Sequence, residues 1–168
     1  EVELRGRPPV SLCAGADALG AAAVFARAGL PVGIVAAPNG GSAGAADQAD
    51  LGAALVRHHA GVLAACAAIQ AAAPGAPFFY VADPALAGLA AGSPAAAMFQ
   101  IAAVQLAAHI GLPVSAVGMT TGSHEPDWQA CTQNAFAALS TMAAGADLTA
   151  GAGTLGGGSV FSAQQLVM

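Results

Sequence analysis

Between Thr120 and Asp127 the chain reads Thr-Thr-Gly-Ser-His-Glu-Pro-Asp, its densest run of polar and titratable side chains. One imidazole, His124, stands beside two carboxylates, Glu125 and Asp127. An imidazole titrates near neutrality, so His124 is a candidate acid, base or polar contact. Asp127 is also placed to cap the helix that follows, because a side-chain oxygen there accepts from unsatisfied N–H groups of the first turn. Glu125 reads either as a contact to a cation or as a solvated charge. Thr121 adds a hydroxyl to the same loop. Three further polar candidates, Asn39, Tyr80 and Asp83, lie within or just after short apolar runs. Tyr80 and Trp128 together suggest an aromatic wall for a cationic ligand, with core packing as the plainer role for each.

Other chemistries are not spelled out. The chain has no Walker loop and no His-Glu-x-x-His pair. His58 and His59 are adjacent on a predicted helix, about 100° apart around its axis, so they cannot hold one metal from one face. No metal site is expected. His109 near a helix end answers to the helix dipole. Cys13, Cys66 and Cys131 are too scattered for a zinc knuckle or a disulfide framework. They read as buried thiols of a reducing, cytoplasmic protein.

The elements that must position these residues follow one rhythm. Strands are predicted at Pro9–Ala14, Pro31–Ala37, Pro77–Ala82, Pro113–Gly118 and Ala146–Gly151, each a short apolar run suited to burial on both faces. Helices are predicted between them: from Asp17 to Leu30, from Asp47 or Asp50 to about Ala73, from Ser93 to Ile110 and from Asp127 to Ala144, with Ser162 capping a last one. Ala85–Gly92 reads as a loop with at most one helical turn, and Gly153–Ser159 as a glycine loop. Gln129, Thr132, Gln133 and Ser140 fall on one stripe, read as an outer, solvated helix face. Gly29-Leu30-Pro31-Val32 and Gly111-Leu112-Pro113-Val114 repeat the same helix-to-strand joint.

Alternating β and α units mean a parallel sheet, either closed as a (β/α)8 TIM barrel or open and doubly wound. No Gly-x-Gly-x-x-Gly follows the first strand. The match at Gly151-Ala-Gly-Thr-Leu-Gly follows the last one, where it is weak evidence for a dinucleotide site. The barrel is the expected fold, with this chain covering about five of its eight units. In either architecture sites form at the carboxyl ends of the strands, where the polar loops fall.

Composition bounds the rest. The 168 residues are 57% hydrophobic and only 8% charged, against about 25% charged in ordinary soluble domains. From Ala60 to Met119 the one formal charge is Asp83. Prolines and glutamines cut the apolar runs below the roughly 20 residues of a membrane span, so no membrane is expected. A net charge of −5 argues against nucleic acid, which needs a basic stripe. Residues 1–168 are read as a single (β/α)-barrel segment of a longer chain, one that assembles into a homo-oligomer.

The blocks Ala28-Gly-Leu-Pro-Val-Gly-Ile-Val-Ala-Ala-Pro-Asn-Gly-Gly, Gly111-Leu-Pro-Val-Ser-Ala-Val-Gly and Pro126-Asp-Trp-Gln, with the run from Ala143 to Gly158, resemble the trimethylamine methyltransferase family in order and spacing. The resemblance runs from about Pro9 to Met168. It implies a TIM-barrel enzyme that moves a methyl group from a methylated or quaternary amine to the cob(I)alamin of a separate corrinoid protein. The chain is similar to members without pyrrolysine, among which glycine betaine is a substrate class. The family's polar loop falls on Thr121 to Glu125, with Pro126, Asp127 and Gln129 matching. It commonly has Met where Asn39 stands, and often Glu where Gln133 and Gly156 stand. Cob(I)alamin is itself a strong nucleophile, so the protein need only hold and aim the amine. No Asp-x-His-x-x-Gly occurs here, in keeping with a cobalamin presented by the partner corrinoid protein and not bound permanently. The expected site is therefore His124 as catalytic residue, with Asn39, Tyr80, Asp83, Thr121, Glu125 and Asp127 around the substrate. The competing readings are a barrel lyase or isomerase using His124 and Asp127 as acid and base, and a non-catalytic amine-binding barrel segment.

Overall fold

The computed structural model describes residues 12–15, 19–35 and 50–167. Strands β1 (Leu12–Gly15), β2 (Val32–Val35), β3 (Phe78–Ala82), β4 (Val114–Ala116) and β5 (Leu148–Thr149) form one sheet in the order β1-β2-β3-β4-β5. Every pairing is parallel. Each strand is followed by a helix: α1 (Leu19–Arg27), α2 (Leu51–Ala72), α3 (Pro94–His109), α4 (Trp128–Ala143) and α5 (Ala163–Val167). The alternation predicts this architecture because parallel neighbours need a crossover, and a helix is the usual one.

The helix starts are fixed by side-chain caps. Asp50 accepts from Ala53 N–H at 2.8 Å, Ser93 from Ala96 N–H at 3.2 Å with Pro94 in the first turn, and Asp127 from Ala130 N–H at 2.8 Å. Such caps satisfy N–H groups that have no partner within the helix.

Alternation along the strands separates two faces. Val32, Ile34, Phe78, Tyr80, Ala82, Val114 and Ala116 face the helices and meet Ala54, Val62, Ile69, Phe99 and Val104 in the core. Gly33, Phe79, Val81 and Ser115 take the other face, in register with one another. Gly33 is small because the Phe79 ring covers its Cα. The helix-facing core is rich in alanine, including Ala96, Ala103 and Ala107 on α3, so helices approach the sheet closely. α2 is long and apolar enough to cross a membrane, yet it packs His58, Val62 and Ile69 against the sheet.

Two features depart from the expected elements. The glycine run after β5 forms an antiparallel hairpin, β6 (Thr154–Leu155) with β7 (Val160–Phe161). The stripe on α4 also turns out differently. Gln129 and Thr132 are exposed, but Gln133 and Ser140 are half-buried, and the outward face carries Trp128, Phe136, Leu139 and Met142 instead of a polar surface.

Candidate functional site

Three loops follow β3, β4 and β5 at the carboxyl edge of the sheet, and they converge. The β4 loop carries Thr121 to Asp127. The turn of the β6–β7 hairpin grips it through two backbone bonds: Gly156 N–H donates to Ser123 C=O at 2.7 Å, and Gly157 N–H to Thr121 C=O at 2.8 Å. Further back, Met119 N–H donates to Ala150 C=O at 3.1 Å, and Thr154 Oγ1 to Met119 C=O at 3.1 Å. The β3 loop joins where Ala91 lies against Gly122 and Gly157 and where Gly92 lies under the Gln133 amide. The sequence placed all three loops at one end of the sheet; the structure shows them bonded or packed together.

Within this cluster the polar side chains divide into two groups. Thr121 is fully buried. Its hydroxyl donates to Gln133 Oε1 at 2.5 Å and accepts from Ser123 N–H at 3.0 Å. Asp127 caps α4 and also accepts from Ser123 Oγ at 3.2 Å. These groups are occupied in shaping the loop. His124 and Glu125 are exposed. The His124 ring lies against Gly156, whose φ is +56°; a Cβ built there would come within 2.7 Å of Nδ1. Only glycine adopts that backbone without strain while leaving the ring its place. The loop thus presents an imidazole and a carboxylate at consecutive exposed positions, residue types suited to binding a cation and to moving a proton.

The remaining predicted residues lie elsewhere. Asp83 ends β3 and caps the 3-10 turn Pro84–Ala87, its Oδ1 accepting from Ala85 N–H at 2.9 Å. Burial holds its carboxyl above the usual carboxylate range, offset in part by that bond. Tyr80 faces the helix layer, 0% exposed, with its ring stacked on His59 at 5.9 Å and edge-on to His58 at 5.5 Å. Burial pushes its phenol up to about 12. Tyr80 and Trp128 share no wall, since Trp128 stands on the outer face of α4. Asn39 lies outside the described residues.

His58 is buried on α2, and its Nε2–H donates to the Val81 carbonyl at 2.9 Å, tying that helix to the end of β3. Desolvation lowers its pKa, opposed by the bond to Val81. Gln100 does the same work from α3, with Nε2 donating to Val117 C=O at 2.6 Å. Neither residue nor Gln133 stands out in sequence as part of the site. Their signal is weak: a polar side chain at an inward helical position of an otherwise alanine-rich helix. Among the described residues no group of His, Cys, Asp or Glu is arranged to hold a metal ion, and Cys66 and Cys131 are unbridged.

The family model described as trimethylamine methyltransferase (MTTB) matches residues 8–168. The trimethylamine methyltransferase MttB of Methanosarcina thermophila is 34% identical over 149 residues, covering 85% of this chain and 30% of that protein. The protein of that name from Desulfitobacterium hafniense is 32% identical over 148 residues, covering 85% of this chain and 29% of its own length. MttB1 of Methanosarcina mazei is 34% identical over 149 residues with coverage of 85% and 29%. The chain therefore spans about 30% of the length of the curated relatives it matches.

Proposed function

The chain belongs to the trimethylamine methyltransferase family, and we propose that it forms the methyl-donor site of a cytoplasmic corrinoid-dependent methyltransferase. The substrate is a methylated or quaternary amine, and the methyl acceptor is the cobalamin of a partner corrinoid protein. The observation that carries this reading is the family match over residues 8–168, joined to a polar loop held rigidly at the carboxyl edge of a parallel sheet. That edge is where ligands bind in both parallel α/β architectures.

The sheet is read as an arc of a (β/α)8 barrel. Its strand order runs β1 to β5 without reversal, whereas a doubly wound sheet reverses at a switch point. The face opposite the helices, with Phe79, Val81 and Ser115, then lines the barrel interior. At the carboxyl edge, between α3 and α4, lies a hollow of about 160 Å³ that Gln100, Thr120 and Gln133 help to line.

Cob(I)alamin supplies the nucleophile, and this chain's residues bind and aim the amine. Glu125 offers an exposed carboxylate to the cationic nitrogen. His124, fixed against Gly156, orients the amine and exchanges a proton with it where it has one. In-line alignment of one methyl is the contribution that positioning makes to rate. Where the family often carries Glu at position 156, glycine here leaves the space that the imidazole occupies, so His124 takes over a polar contact at the same spot. The lyase or isomerase reading is weaker, because Asp127 is already committed to the α4 cap and to Ser123.

The test is methyl transfer by the full-length protein with cob(I)alamin, a panel of methylamines and betaines, and a cognate corrinoid protein. The change in the cobalamin spectrum on methylation is followed. Conversion with one amine and its loss in His124→Ala supports the assignment. No conversion with any amine refutes it.

A further inference from the structure

Gln100 on α3 is a buried amide, 2% exposed, and only one end of it is used. Its Nε2–H donates to the Val117 carbonyl at 2.6 Å. A carbonyl oxygen only accepts, so this end of the amide must be the nitrogen. The other end, Oε1, is buried and has no hydrogen-bond partner among the described residues. A buried acceptor of this kind calls for a donor. Gln100 also lines the hollow between α3 and α4, and Val117 does not. With Nε2 held on Val117, Oε1 is the polar atom left to face the hollow.

The rest of the lining has one character. Thr120 and Thr132 bring hydroxyl oxygens, Phe136 a ring, and Ala97 and Ala137 methyl walls. Among the described residues that line it, none is charged. The first turn of α3 could attract an anion, but it is already closed. Ser93 accepts from Ala96 N–H through Oγ and from Ala97 N–H through its carbonyl, and Pro94 has no N–H. Neither His124 nor Glu125 lines the hollow, which meets the polar loop only at Thr120. Its volume is about 160 Å³. At about 30 Å³ for each water-sized unit, a molecule of roughly five heavy atoms fits. Both walls belong to this chain, so further chain could close the mouth but would not build the floor.

We propose that this hollow binds a small alkylammonium ion through its N–H, and that the occupant is the demethylated product of the reaction. The choice of an amine rests on the methyl-transfer reading. When the C–N bond of the substrate breaks, its electron pair stays on nitrogen and the methyl passes to its acceptor. The nitrogen then takes a proton from water. Each demethylation therefore adds one N–H to the cation, and a quaternary ion has none. Gln100 Oε1 accepts that N–H, the Phe136 ring faces the charge, and the alanine walls take the remaining methyls. A quaternary ion would cover the buried acceptor with methyl groups and leave it unpaired. An unpaired buried group is the penalty by which polar pockets discriminate. The acceptor that disfavours a quaternary substrate thus holds its product, one residue from the loop.

The experiment is a ligand-observed NMR titration of the full-length protein, without cobalamin or corrinoid protein. The probes are tetramethylammonium, trimethylammonium and dimethylammonium. Affinity should rise about tenfold from the quaternary ion to the first ion with an N–H, the scale of one hydrogen bond to a charged donor. Ala97→Leu fills the hollow and leaves the Gln100–Val117 bond in place. Phe136→Ala removes the ring from a position 59% exposed, where the fold tolerates the change. Circular dichroism verifies folding. Each substitution should weaken dimethylammonium about tenfold and leave tetramethylammonium within about twofold. Ligand methyl protons should show cross-relaxation to the Ala97 methyl. Equal affinity for the three ions refutes the proposal. So does dimethylammonium binding that survives both substitutions or is lost only in Glu125→Ala, and so does a hollow that takes water alone. Methyl transfer without amine bound at the hollow overturns this proposal by itself. Binding at the hollow without transfer overturns the methyl-transfer reading and, with it, the occupant's role as product.

Discussion

Replacing Thr121 with valine tests whether the polar loop is held from beneath by a buried hydroxyl. The side chain keeps its shape and volume, so no cavity opens. What it loses is one donor and one acceptor: the bond to Gln133 Oε1 at 2.5 Å and the bond from Ser123 N–H at 3.0 Å. A neutral hydrogen bond contributes about 0.5–1.5 kcal/mol net, and a buried group left without a partner costs about 1–3 kcal/mol. Gln133 is only half-buried, so water recovers part of its loss, and the sum is about 2 kcal/mol. In a domain of this size each kcal/mol moves Tm by about 2–4 °C, which gives a fall of about 4–8 °C. Thr121→Ser retains the hydroxyl and should lose less. The Gln133→Leu single variant and the double variant complete a thermodynamic cycle, with an expected coupling of about 1 kcal/mol. Thermal and denaturant unfolding of the four proteins measures it. A Thr121→Val protein that melts with the parent, or a cycle that is strictly additive, refutes the account of the loop.

Further consequences are as direct. His124→Ala should lower the rate of methyl transfer by about 10²-fold or more if the imidazole moves a proton, and His124→Gln should restore part of it if the ring serves only as a polar contact; steady-state rates with the responsive amine distinguish the two. His58 has its pKa lowered by burial, so it contributes stability that is present above about pH 6.5 and is lost as pH falls through its folded value. Stability measured between pH 8 and 5 should therefore decline toward acid, and His58→Phe, which keeps a ring in place, should flatten that part of the curve. Asp83 is shifted the other way: its raised pKa means stability that is full below about pH 3.9 and lost as pH rises through the folded value. Asp83→Asn keeps the cap and should remove this slope from the stability–pH curve. Gly118→Ala would set a methyl 2.8 Å from both Thr141 Oγ1 and Thr149 Cγ2, and overpacking of this kind costs about 1–3 kcal/mol, measurable as a lower denaturant midpoint.

Much of this architecture is legible in the chain, for physical reasons that differ between elements. Asp50, Ser93 and Asp127 announce α2, α3 and α4 because a cap is a local event, decided within four residues. The strands are legible as runs but not as faces. Phe78-Phe79-Tyr80-Val81 is apolar on both sides, so nothing in it says that Tyr80 turns toward the helices and Phe79 away from them. That ambiguity belongs to buried parallel strands in general. The hairpin after β5 is hidden because Gly156, Gly157 and Gly158 carry no side chain to signal pairing, while their positive φ values build the turn. The α4 stripe misleads for another reason. The helix packs inward through alanine and a hydrogen-bonded threonine, which inverts the usual rule that the more apolar face is the buried one.

The site itself is half legible, and the missing half explains which residues are available for chemistry. Sequence gathers Thr121, His124, Glu125 and Asp127 into one loop, and their types alone make them equivalent candidates. Three-dimensional bonding ranks them. Thr121 is committed to Gln133 and Ser123, and Asp127 to the first turn of α4 and the Ser123 hydroxyl. A ligand would have to displace those bonds to use either group, and removing the cap alone costs about 1 kcal/mol. His124 and Glu125 carry no such commitment among the described residues, yet the backbone beneath them is pinned by Gly156 N–H and Gly157 N–H. Rigid backbone under uncommitted side chains is the condition for preorganised binding. It follows that substitutions at Thr121 and Asp127 should act on stability and on activity together, whereas substitutions at His124 and Glu125 should act on activity with little change in stability. A His124→Ala protein that loses several degrees of Tm would place that residue with the scaffold and leave Glu125 as the loop's one free group.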